Sequence, residues 1–343
     1  QITRELHGNL LHPSYNLHIA ATFRSSSNDP NLQNVPIRNK QIGIIIRGAY
    51  RSRHGKKGVL IEADLKGAEV STAACYNHDS NFIRYVSNPK NDMHKDTMAL
   101  IMKAEPDNIT KDLRQIGKNK FVFPQFYGDW YRSCGEAIWA ELQDKKYVMA
   151  DGTSAMLWLQ EQGVFDLPKR WQPGVVLLPK DYPQQYEAFI DHLGGVEDHF
   201  WHEMFPEYTA WKDSWWKQYL RLGYVDSYTG FRYTGLMDKK KTINYPIQGD
   251  AYHLNQHGIN IVNRTLRKEK VLTRPFNQIH DSGVYDSVED EFKDVIKLIN
   301  NTMNVRMREI YPWINVPIVV EFDVVEPGCN GSWFDKKAWD IET

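Results

Sequence analysis

Apolar and polar positions alternate in short blocks along the chain, and the blocks change period. "VLIEAD" (59–64) is a compact apolar run closed by an acid, which predicts a buried strand with its carboxylate at the tip. "KGAEVSTAACYN" and "DMHKDTMALIMKA" have helical spacing. From Tyr131 to Leu220 the chain is aromatic-rich and reads as mostly helical, with interruptions near Pro168, Pro173, Pro179 and Pro183. "FWHEMFPEYTAWKDSWWKQYLRLG" predicts two helices parted by Pro206, the second closing at Gly223. "INYPIQGDAYHLNQHGINIVNRTLRK" predicts a Pro-bounded turn followed by a long amphipathic helix. "TRPFNQI", "GVYDSV" and "VPIVVEFDVVE" read as strands, the first two joined by a hairpin tipped by "HDSG". Residues 1–45, rich in Asn, Ser, Pro and Gly, read as loop.

Composition narrows the class. The 343 residues allow two or three subdomains, and 41% hydrophobic with 25% charged residues is ordinary for a globular protein. No apolar run approaches the roughly eighteen residues of a membrane span, and no targeting pattern opens the chain, so the expected setting is cytoplasmic, without a membrane. Three widely spaced cysteines argue against a disulfide framework. The start at Gln1 suggests a trimmed fragment of something longer. Net charge is −1, yet cations cluster at Arg47–Lys57, Lys111–Lys120 and Lys239–Lys241, which leaves room for a polyanion groove. "HFWHE" (199–203) has two His three apart but no third ligand, so no zinc site is expected there.

Three features carry chemistry. Asp64 and Asp281, more than two hundred residues apart, are each expected at a strand tip. Carboxylates brought together there would repel unless cations sit with them, an arrangement suited to two Mg²⁺ ions and an in-line phosphoryl displacement. The segment "RQIGKNKFVFPQFYG" (114–128) then offers cations for a triphosphate and aromatics for a base.

Read together, these stretches resemble the palm and fingers of a family A DNA polymerase, the bacterial DNA polymerase I type also used by phages. "TFRSSSNDPNLQNVPIRN" is similar to that family's TGRLSSxDPNLQNIPxRN, which implies primer–template contacts from Arg24, Asn31, Gln33, Asn34 and Arg38. "ADLKGAEV" resembles motif A and implies Asp64 and the Leu65 carbonyl as metal ligands, with Glu69 as the sugar gate. "DMH" resembles DIH and places His94 near the triphosphate; "INYPIQGDA" implies DNA contacts from Asn244 and Gln248. "IHDSGV" resembles motif C, with His280 near the primer end and Asp281 as the second metal ligand. The resemblance therefore implies an α+β right-hand architecture: an antiparallel palm sheet from residues 1–75 and 236–343, mostly helical fingers from 76–235, and no thumb in this chain. It implies template-directed synthesis from dNTPs on a primer–template with two Mg²⁺ ions. A thumb- or exonuclease-bearing segment or subunit could be a further partner.

The departures from the pattern set the questions for the structure. The family spacing is Arg-x3-Lys-x3-Phe/Tyr-Gly-x2-Tyr-Gly. Counted from Arg114 and Lys118 the stacking position falls on Val122, and counted back from Tyr127–Gly128 it falls on Phe123. One extra residue must be absorbed, and a π-bulge beside Pro124 would do it, since Pro124 cannot bond to the Lys120 carbonyl. The expectation is Arg114 and Lys118 on phosphates, Phe123 on the base and Tyr127 at the template, with Lys120 and Phe121 as alternates. Ser282 replaces a usual Glu, giving the "HDS" of phage-type RNA polymerases, whereas Glu69 and "RSSSNDPNLQNVPIR" point to DNA synthesis. Gly67 stands where Gln is common. The alternatives are a thumb-less primer–template binding module that needs a partner, and a single-subunit RNA polymerase.

Overall fold

A computed structural model describes residues 6–36 and 40–341. The chain forms two compact units, one of residues 1–76, 222–235 and 245–343, the other of 77–221 and 236–244. The family A polymerase expectation of an α+β fold with an antiparallel sheet is met.

In the first unit, β1 (Gly58–Leu65), β2 (Arg274–Ile279), β3 (Ser282–Val288), β4 (Val320–Val324) and β5 (Lys337–Trp339) form a five-stranded sheet in the order β5-β4-β1-β3-β2. Every pairing in it is antiparallel. β1 lies at the centre because its run of Val, Leu and Ile is apolar on both faces: Val59, Leu60 and Ile61 are all buried. Leu32, Val35, Leu60, Val284, Val325 and Trp333 make one continuous cluster against this sheet. α1 (Ala68–Asn77) follows β1 after Gly67, whose φ of +59° accounts for a glycine where the family pattern has a bulkier residue.

The second unit is helical. α2 (Met93–Met102), α3 (Lys111–Ile116), α4 (Tyr131–Leu142), α5 (Pro183–Asp198) and α6 (Pro206–Leu222) surround a core that includes Met98, Leu113, Phe121, Trp139, Phe189 and Leu193. Asp92 caps α2 by accepting from the backbone N–H of His94 and Lys95, and Thr110 caps α3. Pro206 opens α6, and Gly223, with φ +77°, follows its end.

Three local expectations need correction. The "INYPIQ" segment is not a turn: α7 (Lys239–Lys268) runs straight through Pro246. Pro246 lacks the N–H that would bond to the Thr242 carbonyl, and the Trp215 indole fills that role at 3.1 Å. Residues 6–28 are not plain loop, since they form two small antiparallel ladders. The hairpin within 222–235, expected with the middle segment, belongs to the first unit, where Phe231 and Tyr233 pack on Phe23 at 4.9 and 5.0 Å.

The basic clusters are also less open than their charge suggested. Arg47 is 6% exposed and lies over Trp333 at 4.2 Å, and Arg53 donates to the Leu272 carbonyl and pairs with Asp286. Lys239, Lys240 and Lys241 face Asp213, Asp129 and Asp238. Arg47 and Arg53 are tied into the fold, while the three lysines pair with acids at the surface. Among the described residues no helix is long and apolar enough to cross a membrane.

Candidate active site

The sheet of the first unit brings the two distant acids together. Asp64 pairs in register with Ser282, so Asp281 is its neighbour at the hairpin tip, and the Leu65 N–H donates to the Asp281 carbonyl at 3.1 Å. Burial pushes the Asp64 carboxyl up to about 7, with Asp281, Glu62 and Glu321 adding like charge. The Asp281 carboxyl is also raised, mainly by burial and then by Glu69. Lys336 offsets this only in part, since it is shared at 2.8 Å with both Glu62 and Asp323. Two adjacent carboxyls, both raised by burial and like charge, fit a hard divalent ion. Among the described residues no group of three or more His, Cys, Asp or Glu could hold a metal.

Beside the acids lies a cleft of about 300 Å³ lined by Arg24, Glu69, Tyr252, His280 and Asp281 with two alanines. Arg24 forms an ion pair with Glu69 and donates from Nε to the Gln248 carbonyl at 3.1 Å. One guanidinium thus ties the N-terminal loop to α1 and α7. His280 adopts φ +51° at the hairpin tip, and the Gln278 amide braces it by donating to its carbonyl. Gln33, expected on DNA, is placed differently: it is 8% exposed, and its amide donates to Ser25 at 2.8 Å and Gln278 at 3.1 Å. Its geometry makes it a buttress for that tip. Asn31 and Asn34 are exposed, and the Asn31 carbonyl oxygen accepts from the N–H of Gln33 and Asn34. Arg38 lies outside the described residues. Asn244 and Gln248, four apart on α7, are both half-buried. Ser282 is 3% exposed and donates to the Ile279 carbonyl at 3.1 Å, so it closes the tip where a glutamate was expected.

In the second unit the extra residue is taken up where the sequence required it. Gly117–Val122 is a π-helix between α3 and a short turn Phe123–Phe126, and the Phe123 N–H bonds to the Lys118 carbonyl five residues back. Arg114, Lys118, Phe123 and Tyr127 therefore follow spacings of four, five and four. Lys118 Nζ lies 5.2 Å from the Phe123 ring centroid, and Phe123 and Tyr127 are 6.3 Å apart. Phe121 and Val122 are fully buried in the core. Of the positions the sequence allowed, Phe123 is the one on the cation face. Lys120 instead points to Glu141 at 3.5 Å.

The same face holds two further groups. Asp92 accepts from Arg114 Nε at 2.6 Å; burial opposes its charge, but this bond wins and its carboxyl sits below the ordinary value. Sequence reasoning passed over Asp92, although an acid just before α2 is a capping signal. His94 packs edge-on against Phe123 at 5.5 Å. Burial, then Lys118 and Arg114, lowers its pKa to about 4, and its Nδ1 is buried without a hydrogen-bond partner. A neutral imidazole with a spare nitrogen and two cations nearby suits an anionic ligand.

Comparison with known proteins bears on the fold and family. Residues 2–146 match the model of DNA polymerase family A. A DNA polymerase I from Chloroflexus aurantiacus is 27% identical over 92% of this chain and 28% of its own length. The DNA polymerase of Bacillus phage SP01 is 24% identical over 97% of this chain and 33% of its own. The chain is thus similar to DNA polymerase family A. It spans about a third of the length of these relatives. A solved structure of the polymerase domain of M. smegmatis Pol1, in complex with DNA primer-template and dNTP, superposes with a TM-score of 0.67 at 21% identity. That likeness covers 97% of this chain and 50% of the other, and it shows the shared fold.

Proposed function

We propose that this chain carries out template-directed DNA synthesis, adding dNTPs to a primer 3′-hydroxyl. The observation that carries the reading is the half-buried pair of raised carboxyls, Asp64 on β1 and Asp281 in the adjoining β2–β3 turn. Asp64, Asp281 and the Leu65 carbonyl are the groups that would hold Mg²⁺. Two such ions, when bound, lower the pKa of the primer hydroxyl and neutralise charge on the departing pyrophosphate.

The other residues bind and orient. Arg114 and Lys118 hold the triphosphate, with Asp92 fixing the Arg114 guanidinium and His94 adding a neutral donor or acceptor. Phe123 stacks on the incoming base and Tyr127 abuts the template. Glu69, held by Arg24, presses on the sugar 2′ carbon, so a 2′-hydroxyl would clash or be buried unpaired. Arg24, Asn31, Asn34, Asn244, Gln248 and His280 contact primer and template. Their amides reach acceptors that all base pairs share in the minor groove.

The test is primer extension by the purified chain with dNTPs and rNTPs side by side. Extension with dNTPs and Mg²⁺ is expected. Efficient de novo use of rNTPs would favour an RNA polymerase instead. Extension only after adding a further polymerase segment would favour a primer–template binding module.

A further inference from the structure

Two wide helical turns meet in the second unit. One is Gly117–Val122, and the other is His199–Met204, within the "HFWHE" stretch. Phe121 packs on Phe200 at 6.2 Å, and Phe126 packs on Phe200 at 6.2 Å and on Trp201 at 5.6 Å. A π turn holds one residue more than an α turn, so its position along a helix is secure only if something outside the helix selects it. Gln125 is placed to make that selection. It is 2% exposed and faces inward, between the outward-facing Phe123 and Tyr127. Its carbonyl oxygen accepts from Trp201 Nε1 at 2.7 Å, and its NH₂ donates to Glu197 and, at 3.6 Å, to Cys134 Sγ.

Trp201 is held in turn. Its carbonyl accepts from Thr209 Oγ1 at 2.7 Å, and Lys212 Nζ lies 3.3 Å from its ring centroid. Slipping the Phe123–Phe126 turn by one residue would put Pro124 or Phe126 against this polar slot. Neither can replace a primary amide, so the buried Trp201 indole N–H would lose its acceptor and Glu197 one of its donors. Only the register with Phe123 beside Lys118 satisfies the slot.

We propose that Gln125 and Trp201 are positioning residues whose hydrogen bond locks the register of the wide turn and so holds Phe123 and Tyr127 in line with Arg114 and Lys118 for the incoming nucleotide. The inference rests on the nucleotide-binding reading given above.

Trp201→Phe in the full chain tests it, because the ring is kept and the donor is lost. Trp139→Phe is the control: its indole donates to the Leu177 carbonyl at 3.0 Å in the same core. Trp201→Phe should speed hydrogen exchange at the amides of 118–127. It should raise the dNTP KM about ten-fold by misplacing the stacking ring, with kcat within about three-fold and primer–template affinity unchanged. Trp139→Phe should leave KM and that exchange alone. If Trp201→Phe does not fold, Gln125→Leu serves instead, with the same KM rise expected. Equal KM shifts in the variant and the control, or unchanged KM despite faster exchange, would overturn the proposal. Should the wild-type chain fail to extend primers, the polymerase reading falls with its nucleotide role for these residues. In that case unchanged exchange at 118–127 would still overturn the lock itself.

Discussion

Asp64 stands on β1 and Asp281 in the turn leading into β3, two strands whose pairing keeps one period throughout, whereas Arg114, Lys118, Phe123 and Tyr127 stand on a helix whose period changes midway. In the sheet, position follows from local pattern: a strand ending in an acid places the acid at the end of its strand. In the helix, one added residue rotates everything beyond it by about 100°, so counting along the chain gives different answers from its two ends. The sheet site also accumulates electrostatic cost, with two carboxyls raised by burial and like charge. The helical site balances its charge internally through the Arg114–Asp92 pair. A single added residue turns side chains in a strand as well as in a helix, but here only the helix carries one, and its register needs an external reference.

The contrast can be broken experimentally. Asp64→Asn should reduce primer extension on the order of 1,000-fold or more, as expected for loss of a main electrostatic group. Its unfolding midpoint should stay the same or rise, because a repelled buried charge is removed. Loss of activity accompanied by loss of folding would mean that the acid is structural. Alanine at Phe123 and at Phe121 should have opposite effects. Phe123→Ala should raise the dNTP KM roughly ten-fold or more, the scale of one lost stacking contact, with little change in stability. Phe121→Ala should lower stability by about 3–5 kcal/mol without a specific KM effect. The reverse outcome would indicate the α-helical register.

A smaller effect is expected at the cleft. Glu69→Ala should lower the preference for deoxy- over ribonucleotides by about ten-fold, measured by competing dNTP and rNTP incorporation; an unchanged ratio would remove Glu69 from the sugar site. The smallest effect concerns Lys212, whose pKa burial lowers from 10.5 to about 7 despite the facing indole. Between those values the unfolded chain binds a proton that the folded chain lacks, so stability should rise with pH through that window. Below about pH 7 both states are protonated and the burial penalty is fully present. Lys212→Met should melt a few degrees higher at neutral pH, at about 2–4 °C per kcal/mol. Its advantage over wild type should shrink toward pH 10, as followed by denaturation at a series of pH values.

Much of this was legible in the sequence for a definite reason. "VLIEAD", "IHDSGV" and the capped helices carry their structure in local period and punctuation, so β1, the β2–β3 tip and α2 were readable one segment at a time. The need for a bulge near Pro124 was readable as well, since it followed from counting residues. Pro246 misled because the indole that compensates for it comes from a segment nearly thirty residues upstream. Gln33 misled for the same reason: its partner Gln278 is more than two hundred residues away.

The chain's own pattern therefore determined which elements form, that two acids end two strands, and that one surplus helical residue must be accommodated before Tyr127. Only the tertiary structure decided that those strands are neighbours, that the Arg47–Lys57 cations largely brace the fold, and that Phe123 faces Lys118 while Phe121 is buried. Period and propensity are properties of consecutive residues. Register, pairing and the sharing of buried hydrogen bonds are set by partners that the backbone brings from elsewhere, as Trp201 is brought to Gln125.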